Sequence, residues 1–116
     1  MFPLTTIFQH DKFDEQYENT VGLDFYSKTI TSDGNECRLQ IWDTSGHESF
    51  HEILPSYLKK AHGIVVTFDV TDKASFDAVD TFVNMMKEND TSDIPRVLVG
   101  TKIDKSSERL VTFENA

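Results

Sequence analysis

The chain has 116 residues, with 11 basic against 20 acidic side chains and a net charge of −9. That bounds it to one domain, and without a cluster of Lys and Arg it speaks against nucleic acid or an anionic membrane surface as a partner. The one cysteine, Cys37, allows no internal disulfide and suits a reducing, cytosolic setting.

No apolar run approaches the roughly 18 residues of a membrane span, and Met1-Phe2-Pro3-Leu4 carries no charged signal-peptide region. The final residues, Phe113 to Ala116, contain no cysteine to lipidate. The expectation is a soluble, cytoplasmic chain without its own anchor.

In chain order, Leu4, Ile7 and Phe8 share one face of a short helix that begins without a cap. A polar loop follows from Gln9 to Asn19, with Phe13 and Tyr17 as isolated apolar points. Leu23 to Thr31 reads as a strand in which Leu23, Phe25, Ser27, Thr29 and Thr31 share a side. Ser32-Asp33-Gly34-Asn35 supplies turn chemistry, and Cys37, Leu39 and Ile41 alternate on the return strand, so this is an antiparallel hairpin.

Past Gly46 the chain is irregular to Leu54, where Pro55 suits the first position of a helix reaching about Lys60. Gly63 to Val70 is nearly continuous apolar sequence, the pattern of a strand covered on both faces. Ser75 to Glu88 carries Phe76, Val79, Val83 and Met86 at helical spacing, a core-facing stripe behind an Asp72 or Ser75 cap. Arg96-Val97-Leu98-Val99-Gly100, introduced by Pro95, is a second buried strand. This order predicts a three-layer α/β fold with a largely parallel sheet and an antiparallel hairpin at its edge.

Ligands of such sheets sit beyond the carboxyl ends of the strands. There Asp43 offers a carboxylate to a divalent cation, and Gly46 a bare amide to a terminal phosphate. Thr20 adds a hydroxyl and a backbone N–H in a loop. Taken singly, Thr20 reads as a turn residue and Asp43 as a strand-end cap. In Thr101-Lys102-Ile103-Asp104, the Asp104 carboxylate can accept two hydrogen bonds from a guanine edge while the Lys102 stem covers the ring. His47-Glu48-Ser49-Phe50-His51 fits the zinc-protease pattern, but Gly46 and Pro55 leave no room for the long helix that pattern requires.

Five ordered motifs resemble the small GTPases of the Ras superfamily, specifically the Rab branch. They are Val21-Gly22-Leu23-Asp24-Phe25, Arg38 through Gly46, Pro55-Ser56-Tyr57, Phe68-Asp69-Val70-Thr71-Asp72 and Leu98 through Asp104. The similarity runs from about Leu4 to Ala116. It implies a GTP/GDP switch in vesicle traffic, with Thr20 and Asp43 serving Mg²⁺, Thr20 and Gly46 sensing the γ-phosphate, and Thr101, Lys102 and Asp104 in the guanine loop. It further implies that Phe25, Trp42 and Tyr57 form the aromatic triad facing Rab-type effectors and regulators.

The departures carry expectations of their own. The chain starts inside the helix that follows the family's phosphate loop, so residues 1–116 form one incomplete domain of the P-loop NTPase type, without its first strand and its last strand and helix. Four lost charge-assisted contacts at ~1.5 kcal/mol each amount to ~6 kcal/mol, about 10⁴-fold in nucleotide affinity. His47 stands where the family has the glutamine that orients the attacking water, which predicts slow hydrolysis. Thr101 replaces the commoner asparagine.

Loss of a mid-sheet strand predicts unpaired edges and self-association through them. Endomembrane association would need a lipidated tail beyond Ala116. The alternative functions are a nucleotide-free module binding effectors or regulators, and a truncated product with no function.

Overall fold

A computed structural model of the chain describes residues 3–10, 22–91 and 93–114. Two compact units make it up, Met1–Glu52 and Ile53–Ala116. The loop residues around Phe13, Tyr17 and Thr20 lie outside the described residues.

The first unit is a helix on a hairpin. Helix α1 (Pro3–His10) precedes β1 (Leu23–Ser32) and β2 (Asn35–Thr44), which pair antiparallel along their whole length from Leu23↔Thr44 to Ser32↔Asn35. Asp33 and Gly34 join them at φ 51° and 79°, the two positive values that a twist-matched two-residue hairpin turn requires. At the open end the Ser45 N–H donates to the Gly22 carbonyl at 2.9 Å.

Alternation predicts two faces for β1, and the structure decides which is covered. Tyr26 is buried, whereas Phe25, on the face that also carries Leu23, is 46 % exposed. Helix α1 packs on the Tyr26 side: the Lys28 ammonium donates to the Phe8 carbonyl and lies 4.8 Å from the centre of the Phe8 ring.

The second unit is a strand–helix–strand unit. Helix α2 (Leu54–Leu58), with Pro55 in its first turn, leads to β3 (Ile64–Asp69), α3 (Lys73–Asp77), α4 (Val79–Glu88) and β4 (Arg96–Thr101). Strands β3 and β4 are parallel, from Ile64↔Arg96 to Asp69↔Thr101. The expected single helix from Ser75 to Glu88 is two, because a turn at Ala78 separates α3 from α4. Asp72 is the cap: its Oδ1 accepts from the Ala74 N–H at 2.9 Å and the Ser75 N–H at 3.4 Å.

Leu54, Leu58 and Met86 form one core, joined by Ile64, Val66, Phe82, Val83 and Met85, and Phe68, Val70 and Val111 form another, with Phe76 and Val79. The predicted stripe of Phe76, Val79, Val83 and Met86 is therefore core.

The fold is mixed α/β, with a parallel strand pair and an antiparallel hairpin, consistent with a small GTPase fold. Two differences from the sequence reading stand out. The described strands form two separate two-stranded ladders rather than one sheet. The β3–β4 pair is also covered on one face only: Val65 and Val97, opposite each other in register, are 60 % and 57 % exposed. An apolar run identifies a strand that can be buried twice, but it does not supply the second layer. Among the described residues no helix is long and apolar enough to cross a membrane.

Candidate functional site

At the open end of the hairpin, Asp43 lies directly across from Asp24. Tyr26, two residues along β1, is on the same face, and its hydroxyl donates to Asp24 Oδ2 at 3.4 Å. Thr5 Oγ1 of α1 donates to Asp43 Oδ2 at 3.5 Å. Burial first, and then the Asp24 and Asp43 carboxylates, push the Tyr26 phenol above its ordinary pKa, and the Thr5 hydrogen bond offsets this only in part.

Like charges directly opposite on a strand pair are unfavourable, and a cation beside them relieves that repulsion. The donor set is all hard oxygen. Among the described residues no group of three or more His, Cys, Asp or Glu converges on a metal, and an ion held by these two carboxylates would need its remaining ligands from elsewhere, such as water. That is the habit of Mg²⁺, which uses one or two carboxylates and keeps several waters. The residues fit the ion.

Two residues beyond β2, a Cβ placed on Gly46 would meet nothing within 4 Å among the described residues. Among the described residues, then, no packing contact demands glycine there. A phosphate oxygen approaching the N–H closely would.

His47 follows, exposed, with its ring turned into its own loop. The Ser49 N–H donates to Nδ1 at 3.3 Å, and Ser49 Oγ lies 2.9 Å from the same nitrogen. With Nδ1 accepting, the neutral ring carries its proton on Nε2 and presents only a donor outward. Orienting an attacking water needs an acceptor. The zinc-protease spacing is not realised on a helix either, since Glu48–Phe50 is a 3₁₀ turn and residues 51–53 are turn.

In the second unit the carboxyl ends of β3 and β4 hold another polar cluster. Lys102 Nζ lies 2.5 Å from Asp69 Oδ2. The Thr71 N–H and hydroxyl donate to Asp69 Oδ1 at 2.8 and 2.7 Å. Burial would raise the Asp69 pKa, but the Lys102 ammonium and then the two Thr71 hydrogen bonds hold it below the ordinary value. Thr101 Oγ1 donates to the Phe68 carbonyl at 2.9 Å, fastening β4 to β3. Gly100 sits in close packing, since a Cβ there would stand 3.0 Å from Val70 Cγ1 and 3.1 Å from Phe68 Cζ, tighter than ordinary contact. Asp104 is exposed in the turn that follows.

Of the aromatic residues, Phe25 and Trp42 are brought together on the outer face of the hairpin, while Tyr57 lies half-buried on α2 in the second unit. Thr20 is outside the described residues, and its assigned roles stay with the sequence. Sequence reasoning passed over Asp69 as a partner of Lys102. The available signal was an aspartate ending an apolar strand with threonine two residues on, a pattern in which the carboxylate folds back onto the backbone N–H. Asp24, opposite Asp43, was readable from the hairpin register alone.

Comparison with known proteins shows the family. Residues 3–116 match the Ras family. The chain is 41 % identical over 109 residues to the Ras-related protein RABD2c of Arabidopsis thaliana, covering 94 % of this chain and 54 % of that protein. It is 39 % identical over 109 residues to the GTP-binding protein YPT1 of Saccharomyces cerevisiae, covering 94 % and 53 %. It is 37 % identical over 109 residues to the Ras-related protein Rab-13 of Bos taurus, covering 94 % and 54 %. The chain thus spans about half the length of these relatives.

Proposed function

The chain belongs to the Rab branch of the Ras family of small GTPases, and from that premise we propose that it carries the metal-facing and guanine-facing parts of a GTP/GDP switch acting in vesicle traffic. Members of the family generally bind GTP or GDP with Mg²⁺, which neutralises charge developing on the phosphates. In this reading Asp43 serves the ion, with Thr20 as its second protein ligand, and the Gly46 amide meets the γ-phosphate. Thr101, Lys102 and Asp104 receive the guanine, and Phe25, Trp42 and Tyr57 meet effectors and regulators.

The observation that carries the reading is the end of β2. An oxygen-lined, doubly acidic face at Asp24 and Asp43 lies a few residues from the open amide of Gly46. The test is binding of a fluorescent GTP analogue to the purified chain with Mg²⁺ or with chelator, beside Asp43→Asn. Binding that needs Mg²⁺ and falls in the variant supports the reading. Equal binding under all conditions overturns it.

Hydrolysis is slow in this reading, because the acceptor nitrogen of His47 is taken by Ser49 and the water that glutamine would orient finds only a donor. A nucleotide-free binding module is the second reading, and one observation favours it: strand register sets Phe25 and Trp42 side by side without any nucleotide. Capture of an effector to the same extent with GTP, GDP or neither supports that module. A strong preference for GTP removes it.

A further inference from the structure

We propose that Asp69 is a positioning residue for base recognition: it pins the Lys102 ammonium at the carboxyl edge of the β3–β4 pair and so presents the lysine stem to the purine face. The inference rests on the guanine-binding reading above, in which Asp69 itself touches no nucleotide.

An exposed lysine is a flexible four-carbon stem carrying a point charge, and on a surface its ion pairs contribute little. The Asp69–Lys102 pair is built differently. The Asp69 side chain is only 17 % exposed, against 54 % for Lys102, so the anchor is shielded while the stem stays accessible. Asp69 Oδ1 is occupied by both donors of Thr71, which leaves Oδ2 turned to the ammonium at 2.5 Å.

The anchor's backbone is held as well: the Asp69 N–H donates to Ser75 Oγ at 2.9 Å. Strand register sets Asp69 directly beside Thr101, the residue before Lys102. Lys102 has φ 60°, a left-handed conformation that residues other than glycine keep only where their surroundings impose it. The Lys105 N–H closes the turn on the Lys102 carbonyl at 3.0 Å. Backbone and side-chain tip are both set before any ligand arrives. A base meeting the stem therefore need not order a free lysine, and that ordering is worth roughly three- to tenfold in affinity for one long side chain.

The test is a double-mutant cycle on the 116-residue chain, reading the Mg²⁺-dependent affinity for a fluorescent GDP analogue in wild type, Asp69→Asn, Lys102→Met and the double variant. Asp69→Asn is expected to weaken binding roughly three- to tenfold, and to cause no further loss once Lys102 is methionine. A loss of the same size in the Lys102→Met background means that Asp69 acts on the fold at large and overturns the proposal, as does undiminished binding by Asp69→Asn. If Asp69→Asn does not fold, Thr71→Val takes its place in the cycle, since it removes the hydroxyl that orients the carboxylate and keeps the charge.

A second measurement needs no nucleotide. The Lys102 Nζ proton signal is expected to be protected from exchange in wild type and lost in Asp69→Asn, and an unprotected signal in wild type overturns the clamp. Failure of the unmodified chain to bind any guanine nucleotide overturns the functional reading itself, and is distinguished by the nucleotide-free measurement, which still reports on the clamp.

Discussion

Phe25 and Trp42 stand opposite each other across the hairpin, ring centroids 4.7 Å apart at 56°, with 46 % and 48 % of their surfaces exposed. Two large aromatics left half in water on the uncovered face of a strand pair are unusual material for a core and suitable material for a docking surface. Their mutual contact helps to keep the rings ordered.

This pair gives a first prediction. Phe25→Ala and Trp42→Ala each destabilise the chain by roughly 1 kcal/mol, and the double variant by less than the sum, because cross-strand aromatic pairs contribute about 0.5–1.5 kcal/mol beyond burial. Urea unfolding of the four proteins measures the coupling directly. Strict additivity would mean that the contact carries no energy.

His47→Gln raises the single-turnover rate of GTP hydrolysis, by roughly a hundredfold if orienting the water is worth the lower end of what a positioned acid–base group contributes. Nucleotide affinity stays unchanged, since the ring at 47 faces Ser49. A rate identical to wild type would show that the acceptor at this position is not what limits turnover.

Two glycines respond in opposite ways to alanine. Gly100→Ala forces a methyl to within 3.0 Å of Val70 Cγ1 and 3.1 Å of Phe68 Cζ, and overpacking of this kind costs about 1–3 kcal/mol. Gly46→Ala meets open space and changes stability by less than about 0.5 kcal/mol, yet it lowers the preference for GTP over GDP. Thermal unfolding separates the two variants, and competition binding with both nucleotides completes the comparison.

The fourth prediction concerns acid. Because the folded-state pKa of Asp69 is depressed below its reference of 3.8, the folded chain binds the proton less readily than the unfolded one. The Asp69 contribution to stability is thus fully present above the reference value and is lost as pH falls through the lower, folded pKa. Lys102, the cation facing it, stays charged throughout this range, and Asp69→Asn therefore has a flatter loss of stability in acid than wild type. Urea midpoints measured from pH 7 down to about 3 test this, and parallel profiles would contradict it.

Much of the local structure was readable directly from the chain. Alternation on both sides of Asp33-Gly34 specifies a hairpin because only residues tolerant of positive φ can make so tight a turn. Asp72 ahead of a helical stripe specifies a capped helix start, and Phe76, Val79, Val83 and Met86 specify its inner face. The five motifs in order specified the family, which the match over residues 3–116 bears out. Each of these signals is local, and dihedral preference and amphipathic period act over a few neighbouring residues.

What needed three dimensions was the choice of partner. Alternation in β1 defines two faces without saying which is covered, and helix α1 settles that in favour of Tyr26 over Phe25. An apolar run predicted β3 buried twice, but coverage depends on a second layer, and Val65 and Val97 lie open. Lys102 finds Asp69 because parallel pairing places the ends of β3 and β4 side by side. His47 loses its acceptor to Ser49 because a 3₁₀ turn bends the loop back on itself. Patterns along a chain encode which conformations its residues tolerate, whereas the partner that meets each side chain is decided only when distant segments close on one another.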